Sequence, residues 1–214
     1  MKTSFCFLAN TACIITSILL VSCTGSNDDF FEKMSQRMKP VRTMTEGYRV
    51  LDLNSLTDFE WDTVYFFKGG SLADMDIKDI NMTIGFEWNG PPIGSEVRRL
   101  LFVRGREVVS YTDFMPDGGG VGQPMPIWMF GCKGDKGSGI SRKDARFAVF
   151  RNCAASGDFQ MVPLKCVEDS RIVIEQGCTE KTLELLKHPF LYDSTGRIIP
   201  VMEDSTGMLV PIKN

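Results

Sequence analysis

The sequence predicts an α+β fold: an antiparallel sheet, a few short helices, and a C-terminal half stapled by disulfides. Three observations lead there. Residues 57–67 alternate with period two, Ile77, Ile80 and Ile84 follow at helical spacing, and two apolar runs flank Arg104-Gly105-Arg106 as in a hairpin. The 214 residues carry 24 Lys and Arg against 27 Asp and Glu with 43% hydrophobic residues, the balance of a folded chain rather than a disordered one. A net charge of −3 and the lack of a Lys or Arg run leave little to hold a phosphate backbone, so no nucleic-acid partner is expected.

Residues 1–22 have a Lys2, a mainly apolar stretch from residue 5 to 21 and then small residues, the layout of a secretory signal peptide. Asn10, Thr11, Thr16 and Ser17 interrupt the apolar stretch, which falls short of the roughly 20 continuous apolar residues of a spanning helix. Leu20-Val21-Ser22-Cys23 resembles the lipobox of bacterial lipoproteins. The resemblance implies that Cys23 is the first mature residue and that its thiol carries a diacylglyceryl group. Each buried methylene contributes about 0.8 kcal/mol and stable anchoring takes two acyl chains, so such a lipid, with palmitate-like chains, implies lasting membrane attachment. Thr24 in place of Asp after the Cys implies the outer membrane. Asp28 and Asp29 either mark export to the cell surface or suit a helix start, so the domain faces the periplasm or the exterior.

Residues 23–46 read as a lipidated tether bearing a short amphipathic helix over 27–39. Asn27 caps it, Arg37 and Lys39 suit its C-terminal end, and Phe30, Met34 and Met38 share a face that either docks on the domain or lies along the membrane. A single domain then spans 47–214, with a strand-helix-hairpin unit over 47–115 and a Cys-containing half over 127–214. The period-two strand puts Phe59, Trp61, Thr63, Tyr65 and Phe67 on one face and Glu60, Asp62, Val64 and Phe66 on the other. Gly69-Gly70 ends it. Ser71 with Asp74 resembles a capping box for the next helix, which Gly85 stops, and residues 98–103 and 107–111 form the hairpin.

Phe59, Trp61, Asp62, Tyr65 and Phe67, followed by Leu101-Phe102-Val103 and Val108-Val109, resemble small uncharacterised bacterial envelope proteins sharing a Phe-x-Trp-Asp-x-x-Tyr-x-Phe strand. The resemblance covers about a quarter of the chain and implies a fold unit without an activity. Beyond a Gly- and Pro-rich loop over 113–126, residues 146–151, 159–166 and 171–175 read as strands, and Thr179 caps a helix that Pro189 stops. The C-terminus repeats: Asp193-Ser194-Thr195-Gly196 and Asp204-Ser205-Thr206-Gly207 are polar turns, each feeding a short apolar strand that ends in Pro200 or Pro211, as edge elements do.

Cys6 and Cys13 leave with the signal, so beyond Cys23 the chain retains Cys132, Cys153, Cys166 and Cys178. In an oxidising envelope these make two disulfides with three possible connectivities, of which the sequential one (Cys132 with Cys153, Cys166 with Cys178) is favoured for its short loops. No Cys-x-x-Cys pair starts a zinc site, and no metal or cofactor is expected. The single His188 between a helix end and Pro189 leaves Ser-His-Asp and Cys-His schemes without a base elsewhere, and no Gly-x-Ser-x-Gly elbow accompanies it. The two Asp-Ser-Thr-Gly copies fit turns better than a protease dyad, and the stretch 131–139 is a flexible turn rather than a phosphate loop. Glu60, Asp62 and Glu87 form a possible carboxylate set, with Asp62 beside Trp61 the best hydrolase candidate. Trp88 and Trp128 are candidates for stacking a sugar or peptide. Met125, Ile127 and Trp128, beside the glycine loop, form the expected contact surface. The resulting expectation is a non-enzymatic binding or accessory module with a protein or glycan partner, the alternative being an envelope hydrolase acting through Asp62.

Overall fold

The computed structural model describes residues 26–70, 74–116, 125, 127–133, 139–155 and 158–212. The first helix, α1 (Asp28–Met38), forms as its caps dictate: the Asn27 side chain accepts from the Phe30 amide, and Asp28 and Asp29 occupy the positive end. Phe30, Met34 and Met38 are each 1% exposed, so this face docks in the core and does not lie on a membrane. Residues from α1 to Val41, which the sequence placed in a tether, are therefore packed into the core of the folded unit. Pro40 does not release the chain either, because the helix tightens into a 3-10 turn, Lys39–Thr43.

One sheet is built from β2 (Thr63–Lys68), β3 (Arg98–Arg104), β4 (Glu107–Phe114) and β6 (Gly139–Ser141), antiparallel throughout in the order β4-β3-β2-β6. The hairpin turns at Gly105, whose positive φ of 59° suits glycine. β2 begins at Thr63, six residues later than the alternation suggests. Upstream, Trp61 is 1% exposed and its indole N–H donates to the Thr57 hydroxyl at 3.1 Å, a local loop closure rather than a ladder. Neither face of β2 is left to solvent. Val64 and Phe66 pack with α1, while Tyr65 and Phe67 pack with α2 (Ile77–Ile84), so both sides of the sheet are covered. Asp76 caps α2 by accepting from the Lys78 amide, and Gly85 ends it at φ 80°. Ser71, expected in the capping box, lies outside the described residues, and Asp74 instead accepts from the Ser95 amide at 2.7 Å.

A second sheet comprises β1 (Arg49–Asp52), β5 (Ile127–Met129), β7 (Arg146–Asn152) and β8 (Asp158–Pro163), in the order β1-β7-β8-β5. It is antiparallel except that β5 runs parallel to β8. Leu51, Ile127, Phe147, Val149 and Met161 face α1 and the first sheet, completing one core. On the other side of β7, Ala148 and Phe150 meet Ile174 of α3 (Arg171–Gln176). Residues 171–175, expected as a strand, are thus helical: the Arg171 guanidinium pairs with Glu175 one turn on at 2.7 Å, and only Ile174 of the β-branched run is buried. β8 likewise stops at Pro163, before a 3-10 stretch.

After α4 (Glu180–Leu185), capped by Thr179, the chain ends in a meander of β9 (Phe190–Tyr192), β10 (Ile198–Glu203) and β11 (Leu209–Pro211). Its two turns are bonded identically. Asp193 Oδ1 accepts from the Thr195 amide and hydroxyl and the Arg197 amide, and Asp204 Oδ1 does the same with Thr206 and Met208. Pro200 lies in the central strand rather than on an edge. β9 pairs only with the first half of β10 and β11 only with the second, so the missing N–H falls at the changeover.

The disulfides are Cys132–Cys166 and Cys153–Cys178, an interleaved pairing that overturns the sequential expectation. The parallel β5–β8 pair is the reason. Both strands end on the same side of the sheet, and Cys132 and Cys166 each follow three residues later, with Cα atoms 5.7 Å apart. Cys153 follows β7 at the opposite end, where Cys178 joins α3 to α4. Digestion without reductant should release exactly two bridged peptide pairs with this connectivity. Replacing either bond by two alanines, which opens sequence separations of 34 and 25 residues, should cost about 3 to 4 kcal/mol in denaturant melts.

Candidate functional site

The residues expected to form a contact surface divide. Met125 and Ile127 are 1% exposed and belong to the core, because β5 adds to the edge of β8 and turns them inward. Trp128 alone points the other way, half-buried. The Arg98 guanidinium sits 4.0 Å from its ring centroid and Lys68 Nζ 4.7 Å, while Arg98 Nη1 donates to the Ile127 carbonyl at 2.7 Å. This cation-π clamp ties β5 to β2 and β3 and covers the ring that was expected to stack a ligand. Pro124, Pro126 and the Gly118-Gly119-Gly120 run lie outside the described residues.

Trp88 is also held by the protein. Asn81 bonds both its amide and its carbonyl, and Tyr111 meets its ring edge-on at 5.6 Å. Below it, Arg99 is fully buried. Its Nε and Nη2 form a bidentate pair with Asp113 at 2.6 and 2.7 Å, Nη1 donates to the Pro91 carbonyl, and the guanidinium lies 4.5 Å from the Tyr111 ring centroid. Burying a charge is tolerated when its donors are met this way.

Two of the three carboxylates singled out in the sequence have structural partners. Asp62 Oδ2 accepts from the Gly105 amide at 2.7 Å and braces the hairpin turn, and Glu60 pairs with Arg142. Glu87 is exposed, as is His188, whose amide donates to the Leu185 carbonyl. Among the described residues no group of three or more His, Cys, Asp and Glu is placed to hold a metal ion.

What the structure brings together, and the sequence did not reveal, is at the C-terminus. Leu183 on α4 and Leu191, Tyr192, Met202, Met208 and Leu209 in the meander are all 47% to 62% exposed. Beside them a cleft of about 260 Å³ opens between α3, α4 and the β9–β10 turn, with Ile172, Leu185 and Ile198 as apolar lining and Lys181 and Arg197 as cations. Gln176 fixes its shape: Oε1 accepts from the Ile198 amide at 2.8 Å and Nε2 donates to the Gly196 carbonyl at 3.1 Å. The Asp-Ser-Thr-Gly repeat was the available signal. It announced two turns but not that the strands between them leave apolar side chains in water.

Asp113→Ala strands the buried Arg99 charge and should cost about 3 kcal/mol or more in chemical denaturation. In the meander, the Thr195 hydroxyl first and the Arg197 amide next hold the Asp193 carboxyl below its ordinary value, and the Thr206 hydroxyl and amide do the same for Asp204. Groups depressed in the folded state stabilise it fully above the unfolded pKa of about 3.9 and lose that contribution as pH falls through the folded value. The protection factors of the Thr195 and Thr206 amides, taken relative to the intrinsic exchange rate at each pH, should therefore fall on acidification below that point, and Asp193→Asn with Asp204→Asn should flatten the dependence.

The chain matches no protein-family model, no curated protein and no solved structure.

Proposed function

We propose that this protein is a lipid-anchored module of the bacterial cell envelope, attached to the outer membrane through Cys23, that holds a protein partner on its C-terminal meander and α4. The observation that carries the reading is the set of exposed apolar side chains from Leu183 to Leu209, which costs solubility unless a partner covers it. Two further points support it. The four cysteines beyond the lipobox pair with one another, in keeping with export to an oxidising compartment. Trp128, the ring expected to stack a sugar, is engaged by Arg98 and Lys68, which favours a protein over a glycan. Hydrolysis through Asp62 is the less favoured reading, since that carboxylate serves the Gly105 turn.

A photo-crosslinking side chain placed at Tyr192 or Met202 in living cells should give a discrete protein adduct. One at Met82 on α2, itself 79% exposed, should not. Equal labelling at all three positions, or none at the meander, would remove the meander as the binding surface. Cys23→Ser should shift the protein from the detergent to the aqueous phase on extraction, and an unchanged partition would reject the lipid anchor.

A further inference from the structure

Two residues, Thr24 and Gly25, separate Cys23 from Ser26, too few for a tether. Ser26 and Asn27 are laid along β4, the outer strand of the first sheet. The Asn27 amide donates to the Tyr111 carbonyl at 2.7 Å and its Nδ2 to Ser110 Oγ at 3.0 Å. In return the Thr112 hydroxyl donates to the Asn27 carbonyl and the Asp113 amide to Ser26 Oγ, both at 3.0 Å. These bonds occupy the 110–113 stretch of an edge strand whose outward polar groups would otherwise be open to another chain. Phe30, one turn on, is 1% exposed. Between Cys23 and Ser26 lie three Cα-to-Cα steps, a reach of at most about 11 Å.

The geometry points to the β4 edge, with residues 26–29 upon it, as the end of the domain apposed to the lipid bilayer. This rests on Cys23 carrying the lipid. Asp28 and Asp29 are exposed at this end, and among the described residues the cation paired there is Lys33, 2.6 Å from Asp29. An acidic end is not drawn to anionic headgroups, so the acyl chains alone hold it there and the attachment is insensitive to salt. The segment then leads away from the anchor. α1 is about 16 Å long, and past its far end the Thr45 carbonyl accepts from the Cys178 amide. Gly177 makes that junction possible, because at φ 50° a Cβ would lie 2.3 Å from Thr45 O. The C-terminal elements are thus docked at the opposite end of the segment whose start is fastened to the membrane.

The test uses the acylated full chain in vesicles of phosphatidylethanolamine and phosphatidylglycerol containing a nitroxide-headgroup lipid. A fluorophore on Ser110→Cys should be quenched several-fold more strongly than one on Met202→Cys. Inserting about 20 Gly and Ser residues between Gly25 and Ser26, with a reach of about 25 Å, should erase the difference. Equal quenching at both positions without the insertion overturns the orientation. Neutron reflectometry on the unlabelled acylated protein guards against damage by the Ser110 label: a protein layer starting at the headgroups upholds the proposal, and a water-filled gap overturns it. An intact mass showing unmodified Cys23 in the purified chain overturns the anchor itself, an outcome seen before any vesicle is made.

Discussion

The first core is organised around one ring. Phe102, at the centre of β3 and fully buried, meets Phe30 of α1, Phe59 and Trp61 edge-on, with centroids 5.0, 5.3 and 5.2 Å away. Such contacts add about 0.5 to 1.5 kcal/mol each beyond the area buried. They also impose order, because three segments far apart in sequence must arrive together before any of them is dry. The N-terminal helix is consequently a structural member, and the loop through Trp61 is held although it makes no ladder.

Burial on both faces of the first sheet has a second consequence. β3 places Arg98 and Arg99 side by side in an otherwise apolar strand, where they are 3% and 0% exposed. Alternation sends them to opposite faces, so each needs its own arrangement. Arg99 is neutralised by Asp113 and donates to the Pro91 carbonyl, and Arg98 reaches across to a carbonyl of β5 and the face of Trp128. The second of these contacts couples the two sheets through a polar side chain as well as through the shared core.

The second sheet and the helices behind it depend on covalent links. α3 and α4 have six residues each and cannot persist alone. The Cys153–Cys178 bond fastens their junction to the end of β7, and Thr45 fastens it to the N-terminal segment. The meander beyond has short strands, with exposed apolar side chains and turns held by single aspartates. It leaves Leu191, Tyr192, Met202, Met208 and Leu209 exposed to water, while α1 and the edge of β4 lie at the other end of the N-terminal segment.

Local chemistry determined much of this without the fold. The Asn27 cap, the Gly85 stop, the Arg104–Glu107 hairpin and the twin Asp-Ser-Thr-Gly turns were legible because each depends on a few neighbouring residues with specific backbone or hydrogen-bonding needs. What required the tertiary structure was everything set by distant neighbours. A strand buried on both sides has the same local alternation as one buried on a single side, so the covering of Val64 and Phe66 by α1 was invisible. Met125 and Ile127 looked exposed because they border a glycine loop, and only the parallel register of β5 on β8 turned them inward. That same register carried Cys132 to Cys166, since which cysteines meet depends on where strands end in space and not on how many residues lie between them.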